Sequence, residues 1–554
     1  MKANGSQILM ECLLEQGVDT VFGYPGGAVL NIYDALYKYS DKINHILTAH
    51  EQGAAHAADG YARATGKVGI CIATSGPGAT NLVTGIATAY MDSVPIVAIT
   101  GNVGRPLLGK DSFQEVDITG ITMPITKHSY IVKDVNKLAD IIREAFYIAQ
   151  SGRPGPVLID IPKDITAAMG EYTYKEPRRV CRQVCSIKQK DIEEAVRLIK
   201  ESERPLIYSG GGIISSSANK ELLEFAEKIQ SPVSTSLMGI GGFPETHRLS
   251  TGLIGMHGSK ASNMAATKCD LLIAIGARFS DRVTSSVESF APNAKIIHID
   301  IDPAEISKNV ASFTSIIGDA KEILISLNEL INQQDHTEWL ECVNDWKAEF
   351  RYDYQRDDKL RPQFIIESVY EHTEGNAILT TEVGQHQMWT AQFYKYVNPR
   401  TYISSGGLGT MGYGTGASIG AQIGVPNKRV VHIAGDGSFR MNCNELATIS
   451  YYNVPVIIIV LNNGVLGMVR QWQTMFYEGR YSQTTLDRGP DFVKLAEAYF
   501  IKGYNVYTQE EFGQVFKEAM ESKGPVLINC YVGENEKVLP MVAPGAPIND
   551  LILE

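Results

Sequence analysis

Nowhere in this chain does an apolar stretch approach the roughly 20 residues that a membrane-spanning helix needs. The longest strand-like apolar run, Val454 to Leu461, has eight. No basic tract occurs, and the formal net charge is −12, so the field of the whole molecule repels nucleic acid. Cysteine is sparse: eight in 554 residues, at 12, 71, 181, 185, 269, 342, 443 and 530. The nearest pair, Cys181 and Cys185, sits in a polar stretch with no second pair to complete a zinc site or a disulfide framework. Ser6 to Glu15, closed by Gly17, has helical periodicity rather than the pattern of a signal or transit peptide. A reducing cytoplasm is the expected compartment. What is present is ordinary globular material, 44% hydrophobic and 20% charged, and the length predicts three or four domains.

Short β-branched runs recur, many ending in glycine or a small polar residue: Val68–Thr74, Pro95–Thr100, Pro156–Ile161, Pro205–Ser209, Leu271–Ile275, Lys295–Ile301, Ile378–Val383, Val430–Ala434, Val454–Leu461 and Pro525–Val532. Helical-period segments such as Val135–Gln150, Asp191–Lys200, Lys220–Ile229 and Asp491–Ala498 separate most of them. Near-continuous apolar strands alternating with helices mean parallel sheets covered on both faces, so the fold class is α/β, doubly wound. Two polar stretches, Thr166–Lys190 and Gln333–Arg361, divide the chain into units at 1–165, 190–332 and 362–535, followed by a tail at 536–554. Trp339, Trp346 and Phe350 make the second stretch a packed connector.

The first and third units share an internal repeat. Gly76-Pro77-Gly78 leads to Ile86-Ala87-Thr88 and then to Val94-Pro95-Ile96-Val97; Gly435-Asp436-Gly437 leads to Leu446-Ala447-Thr448 and then, at the same spacing, to Val454-Pro455-Val456-Ile457. The last strands also match, Gly155-Pro156-Val157-Leu158 against Gly524-Pro525-Val526-Leu527. Two diverged copies of one domain are expected, and their differences mark where each does chemistry.

In the later copy the glycine turn carries an acid, Asp436, and the next strand ends at Asn462-Asn463. Adjacent strand ends of a parallel sheet share the carboxyl edge, where open α/β sheets bind ligands. A carboxylate, an amide oxygen and a main-chain carbonyl are hard ligands suited to Mg²⁺ but too few to cage it, so phosphate oxygens complete the shell. Gly435 and Gly437 admit close backbone approach, and the following helix start offers N–H groups to an anion.

This arrangement, with 24 residues between Gly-Asp-Gly and Asn-Asn, resembles the signature of thiamine diphosphate enzymes. Over nearly its whole length the chain is similar to the catalytic subunits of the acetohydroxyacid (acetolactate) synthase family. The resemblance implies three domains: an N-terminal pyrimidine-binding domain, a central FAD-binding type and a C-terminal diphosphate-binding one. It implies that Asp436, Asn463 and the main-chain oxygen of Val465 hold Mg²⁺. Gln385, His386, Gly435, Gly437 and Ser438 are then expected to contact the diphosphate. Gly409 and Met411, in Ser405-Gly406-Gly407-Leu408-Gly409-Thr410-Met411-Gly412, are expected to support the pyrimidine. Where the family usually continues Leu-Pro-Ala-Ala, this chain has Thr415-Gly416-Ala417-Ser418.

His50-Glu51-Gln52-Gly53-Ala54-Ala55 opens a helix almost without bulky side chains, able to pack close to another backbone. A carboxylate there risks burial, which raises its pKa and suits it to share a proton with a ring nitrogen. By resemblance Glu51 is the catalytic carboxylate facing the aminopyrimidine, and the coenzyme lies between the first domain of one subunit and the third of another, in a homodimer or homotetramer. Gly27, Phe113 and Gln114 are expected at the reaction centre, the amide of Gln114 donating to substrate oxygens.

Resemblance assigns FAD to the middle unit through Arg153, Gly211, Gly212, His257, Gly276, Arg278, Asp300, Asp302 and Asp319, in a structural role. The family commonly has Arg-Phe-Asp-Asp-Arg where this chain reads Arg278-Phe279-Ser280-Asp281-Arg282. Met256, Arg278 and Trp472 are expected to shape the site of the second 2-ketoacid, pyruvate or 2-ketobutyrate, and Arg278 suits its carboxylate. The implied products are 2-acetolactate and 2-aceto-2-hydroxybutyrate, intermediates of valine and isoleucine synthesis. A regulatory small subunit is a plausible partner. The competing readings are an FAD-dependent pyruvate oxidase, against which the run Gly467-Met468-Val469-Arg470-Gln471-Trp472-Gln473 argues, and a flavin-free catabolic acetolactate synthase.

Overall fold

The computed structural model describes residues 1–182 and 186–554; Cys185, half of the Cys181–Cys185 pair, lies outside the described residues. Three six-stranded sheets follow one another along the chain, and every strand pairing within them is parallel. The first comprises β1 (Thr20–Gly23), β2 (Asn44–Leu47), β3 (Gly69–Ala73), β4 (Ile96–Asn102), β5 (His128–Ile131) and β6 (Val157–Pro162). The second comprises β7 (Pro205–Ser209), β8 (Val233–Thr235), β9 (Ser250–Leu253), β10 (Leu271–Ile275), β11 (Lys295–Asp300) and β12 (Thr314–Ile317). The third comprises β13 (Ile378–Thr381), β14 (Tyr402–Ile403), β15 (Val430–Gly435), β16 (Ile457–Asn462), β17 (Lys502–Val506) and β18 (Val526–Tyr531).

Strand order is β2-β1-β3-β4-β6-β5 in the first sheet and β14-β13-β15-β16-β18-β17 in the third, the same pattern twice. The repeat read from glycine turns is thus a repeat of topology. The middle sheet runs β9-β8-β7-β10-β11-β12, the order of dinucleotide-binding α/β domains, whose switch point lies between β7 and β10. Central strands are apolar on both faces because helices cover both: Ile457, Ile458, Ile459 and Val460 are all fully buried. Among the described residues no helix is long and apolar enough to cross a membrane.

Two helices lock the first and third domains together, Glu51–Thr65 and Tyr413–Gly424. His50 starts the former, its ring accepting from the N–H of Gln52 at 3.1 Å, and Gly66 ends it at φ 77°. Their small residues allow backbone-to-backbone approach: a Cβ on Gly60 would stand 2.1 Å from the Ala417 carbonyl oxygen, and one on Gly420 1.8 Å from that of Ala57. Gly416 lies against Gly53, Gly420 against Ala57 and Gly424 against Thr65, so the two helices run parallel, with their N-termini at the same end. The stretch after the middle sheet is a packed connector, its helix Thr337–Glu349 burying Trp339, whose Nε1 donates to the Pro205 carbonyl at 2.9 Å.

Candidate active site

The carboxyl edge of the first sheet gathers four separate segments. Glu51, almost fully buried, accepts from the side-chain amide of Asn81 at 3.0 Å. A Cβ on Gly78 would lie 3.0 Å from the Glu51 carboxylate and 2.7 Å from the Thr74 methyl. Thr74 in turn fills the space beside Gly26, and its hydroxyl accepts from the N–H of Ala28 at 3.3 Å, which fixes the turn holding Gly27. Gly76 rests against the backbone of Gln114, which has φ 57°. The structure therefore brings Gly27, Glu51 and Gln114 to one edge, whereas Phe113 projects into solvent, 88% exposed. Glu115 organises that loop, accepting from the N–H groups of Gly109, Lys110 and Ser112.

The matching edge of the third sheet holds the residues expected around the metal. Burial pushes the Asp436 carboxyl from the usual 3.8 up to about 6, against N–H donors from Gly437 and Gly464. Gly464 follows Asn463, so the strand ends meet as the spacing predicts. The side-chain oxygen of Asn463 accepts from the N–H of Val465 at 3.2 Å, and its amide lies 3.4 Å from the Gln385 side-chain oxygen. Gln385 also donates to Gln471 at 2.9 Å and to the Glu536 carbonyl at 2.7 Å, beside a cavity of about 130 Å³ that reaches Arg470 and Thr474. A Cβ on Gly435 would stand 2.7 Å from His386 Nδ1, so the glycine admits the ring. Burial pushes His386 down to about 4, and its Nε2 is buried with no partner among the described residues.

These groups fit the cofactor that the sequence implies. A buried imidazole with a free nitrogen can donate to a phosphate oxygen. A buried carboxylate with a raised pKa beside an amide oxygen and a loop carbonyl is a hard-oxygen donor set. Among the described residues no three His, Cys, Asp or Glu side chains form a metal cluster. The Ser438 hydroxyl is already engaged, donating to Glu382 at 2.8 Å, so a contact from Ser438 to an anion falls to its main chain. Gly409, at φ 67°, and Met411 lie on the turn entering the Tyr413–Gly424 helix.

Sequence reasoning missed the residues that brace this turn and helix across the domain contact. Asp92 accepts from the N–H groups of Gly406 and Gly407 at 3.1 and 2.7 Å and pairs with Arg63 at 2.9 Å. Thr88, one helical turn earlier, bonds the Thr410 hydroxyl at 2.8 Å. In the opposite direction Glu445 reaches from the third domain to accept from the N–H groups of Ala49 and His50 at 3.1 and 3.0 Å, just ahead of Glu51. Their only sequence signal was their place inside the repeat.

In the middle domain, two glycines of the run Gly210-Gly211-Gly212 that follows β7 serve the fold directly. A Cβ on Gly210 would lie 2.2 Å from the Gly276 carbonyl oxygen, and Gly212 packs on the Gly276 Cα. Gly211 faces Met238 instead. Arg153 crosses from the first domain to Glu305 at 2.8 Å and Asp302 at 3.5 Å. Burial raises the Asp300 carboxyl to about 6, while Asp319 caps the Ala320–Leu330 helix. Arg278, Gly276 and Asp300 all stand at the carboxyl edge of β10 and β11. Trp472 is half-buried with the Arg282 guanidinium over its ring at 6.0 Å, and the Arg282 carbonyl accepts from the N–H of Met256 at 2.8 Å. Met256 and Trp472 thus face one junction of the middle and third domains. The tail closes it: Val538 and Gln471 exchange two hydrogen bonds, Val542 donates to the Met256 carbonyl, and the buried His257 lies 3.4 Å from the Pro540 carbonyl.

Comparison with known proteins agrees with this layout. Models of the thiamine pyrophosphate enzymes match in three parts: the N-terminal TPP binding domain at 3–121, the central domain at 192–327 and the C-terminal TPP binding domain at 382–530. The chain is 49% identical over 555 residues to the acetolactate synthase large subunit of Porphyra purpurea, covering 98% of this chain and 94% of the relative. It is 50% identical over 566 residues to that of Corynebacterium glutamicum, covering 99% and 90%. A probable acetolactate synthase large subunit of Methanocaldococcus jannaschii is 49% identical over 565 residues, covering 99% and 95%. Three matched domains and full-length similarity lead to one conclusion: the chain belongs to the acetolactate synthase large-subunit family of thiamine pyrophosphate enzymes.

Proposed function

We propose that this enzyme, with thiamine diphosphate and Mg²⁺, decarboxylates pyruvate and joins the two-carbon unit to a second 2-ketoacid. Pyruvate as acceptor gives 2-acetolactate; 2-ketobutyrate gives 2-aceto-2-hydroxybutyrate. The observation that carries the reading is the pairing of Asp436 with the Asn463–Val465 loop beside the unpartnered Nε2 of His386. Asp436, Asn463 and the Val465 carbonyl hold the metal, and His386, Gln385 and the helix start at Gly437-Ser438 receive the diphosphate. When bound, the coenzyme supplies the electron sink for decarboxylation. Glu51 holds the proton exchanged with the aminopyrimidine ring, in a pocket that Thr74, Gly78 and Asn81 shield from water. Gln114 donates to substrate oxygens. Arg278 receives the acceptor's carboxylate, and Trp472 and Met256 wall its side chain.

Within one chain the hydrogen bond to Glu51 comes from Asn81, inside its own domain. The family resemblance supports a site completed between two copies, at least a homodimer, with Glu51 of one copy serving the metal clamp of the other. FAD in the middle domain is a structural cofactor in this reading, supported by the strand order around Gly276 and Asp300. A regulatory small subunit as partner and a cytoplasmic location complete the proposal.

The test is an acetolactate assay on cofactor-stripped protein, adding thiamine diphosphate, Mg²⁺ and FAD singly and together. Acetolactate that requires the first two supports the reading; acetyl phosphate or peroxide instead would establish a pyruvate oxidase. Purified protein without flavin absorbance and indifferent to 2-ketobutyrate would establish a catabolic acetolactate synthase.

A further inference from the structure

Glu382 directly follows β13, and its side chain is fully buried. A buried carboxylate is costly unless donors replace its water, and this one has four. Oε2 accepts from the N–H of Gly412 at 2.6 Å and the hydroxyl of Ser438 at 2.8 Å. Oε1 accepts from the N–H and the hydroxyl of Thr415 at 3.0 and 3.1 Å. His432 Nε2 stands 3.6 Å from Oε1, beyond hydrogen-bond length but close enough to favour the anion. Burial opposes ionisation, yet the His432 ring and the donors on Ser438 and Thr415 outweigh it and hold the carboxyl down at about 2.

The four donors belong to two segments far apart in sequence. Gly412 follows Met411, and Thr415 lies in the first turn of the Tyr413–Gly424 helix, where the backbone favours negative charge. Ser438 comes two residues after Asp436, in the first turn of the Asp436–Asn442 helix. Asn442, the last residue of that helix, donates to the Gly412 carbonyl at 2.7 Å. Gly412 is therefore gripped at both its N–H and its carbonyl. The hydroxyl of Thr415 adds one donor to the knot.

We propose that Glu382 is a positioning residue that fixes the separation between the turn at Gly409–Gly412 and the turn at Gly435–Ser438. This rests on the function proposed above for what the turns hold: the pyrimidine ring at Met411 and the metal and diphosphate at Asp436. A bent coenzyme spans both, so their spacing sets whether its two ends are satisfied together.

Glu382→Gln tests this because it keeps the shape while replacing one acceptor oxygen with a donor. In cofactor-free protein, amide hydrogen exchange across the 409–415 peptide is expected to quicken by about tenfold or more, with the amides of β15 unchanged. Calorimetric titration of thiamine diphosphate at fixed Mg²⁺ is expected to show affinity weakened by about tenfold or more, while KM for pyruvate stays within roughly twofold. A residue that merely supports the fold would lower protection throughout the domain and leave coenzyme affinity and KM unsplit. Unchanged exchange at 409–415, or unchanged coenzyme affinity, overturns the proposal. If Glu382→Gln does not fold, Thr415→Val, which keeps the carboxylate and both backbone donors, should shift both measurements about threefold in the same direction; no shift in either overturns it. Parent protein that binds no thiamine diphosphate would refute the proposed function instead, and the cofactor-free exchange data would still decide the role of Glu382.

Discussion

The carboxylate of Asp436, a metal ligand in the proposed function, should weaken the metal-free protein. Its pKa is raised by burial from 3.8 to about 6 in the metal-free chain. Below about pH 3 the group is neutral whether the chain is folded or not, and contributes nothing. As pH rises the unfolded chain ionises first, so the fold loses stability until the native carboxyl also ionises above about pH 6. Two pKa units correspond to about 3 kcal/mol, an upper figure because an asparagine amide keeps only part of the bonding from the Gly437 and Gly464 N–H groups. Asp436→Asn should therefore raise the melting temperature of cofactor-free protein at pH 7 by a few degrees, about what 1–3 kcal/mol produces in domains of this size, and leave it unchanged at about pH 3. Under the proposed function, Mg²⁺ with thiamine diphosphate should reverse the sign. The metal needs the anion, so its stabilisation of the parent should grow about tenfold in apparent affinity between pH 5 and 7, and vanish in the variant. Differential scanning calorimetry of both proteins, with and without cofactors, makes the comparison. A variant less stable than the parent at pH 7 without cofactors, or still stabilised by Mg²⁺, refutes the reasoning.

Glu51→Gln should lower kcat for acetolactate by about 10²–10⁴-fold, the usual scale for losing a positioned acid–base group, with thiamine diphosphate affinity by calorimetry nearly unchanged. Trp472→Leu should reduce the preference for 2-ketobutyrate over pyruvate by about tenfold or more, as loss of shape in an apolar pocket typically does; competition between the two acceptors measures it, and an unaltered product ratio would remove Trp472 from the pocket. Gly420→Ala places a Cβ 1.8 Å from the Ala57 carbonyl oxygen, a backbone clash that no rotamer relieves. It should cost about 1–3 kcal/mol or more by overpacking, read as a lower melting temperature, and an unchanged one would show that the helices part freely.

What was legible in the sequence was what burial writes into it. The ten strands named there include the two central strands of every sheet, β3 and β4, β7 and β10, β15 and β16. Strands buried on both faces are apolar without alternation and stand out. The strands at the sheet edges, β2, β5, β9, β12, β14 and β17, carry no such run; β17 is Lys-Gly-Tyr-Asn-Val and β14 only two residues. One of their faces or margins meets solvent, and their register is set by a neighbour rather than by their own composition. The site divides the same way. Asp436, Asn463 and Glu51 sit at strand ends or a helix start, where motif and spacing carry the signal. Asp92, Glu382 and Glu445 grip backbone N–H groups of remote segments, and contacts to backbone that far along the chain leave no spacing to read. The glycines show the limit from the other side: Gly210 and Gly212 suit a nucleotide's approach by pattern, yet each is already required by the Gly276 backbone.

The duplicated topology explains why the two halves differ where they do. Pro77 occupies in the first domain the turn position that Asp436 holds in the third, and a proline offers neither carboxylate nor N–H. That copy therefore lacks an acid at this turn, and the acid that opens its long helix is Glu51. In the third domain the equivalent helix opens with Tyr413, whose hydroxyl is spent on Asp59 at 2.5 Å, and the turn before it carries Gly409 and Met411. In the proposed function each copy supplies one half of the chemistry, the acid from the first domain and the metal clamp from the third. The parallel glycine-faced contact of the two helices couples the first and third domains of one chain. Glu445 at one helix start and Asp92 at the turn entering the other transmit position across it through bonds of 2.7–3.1 Å, so neither half can drift without carrying its counterpart along.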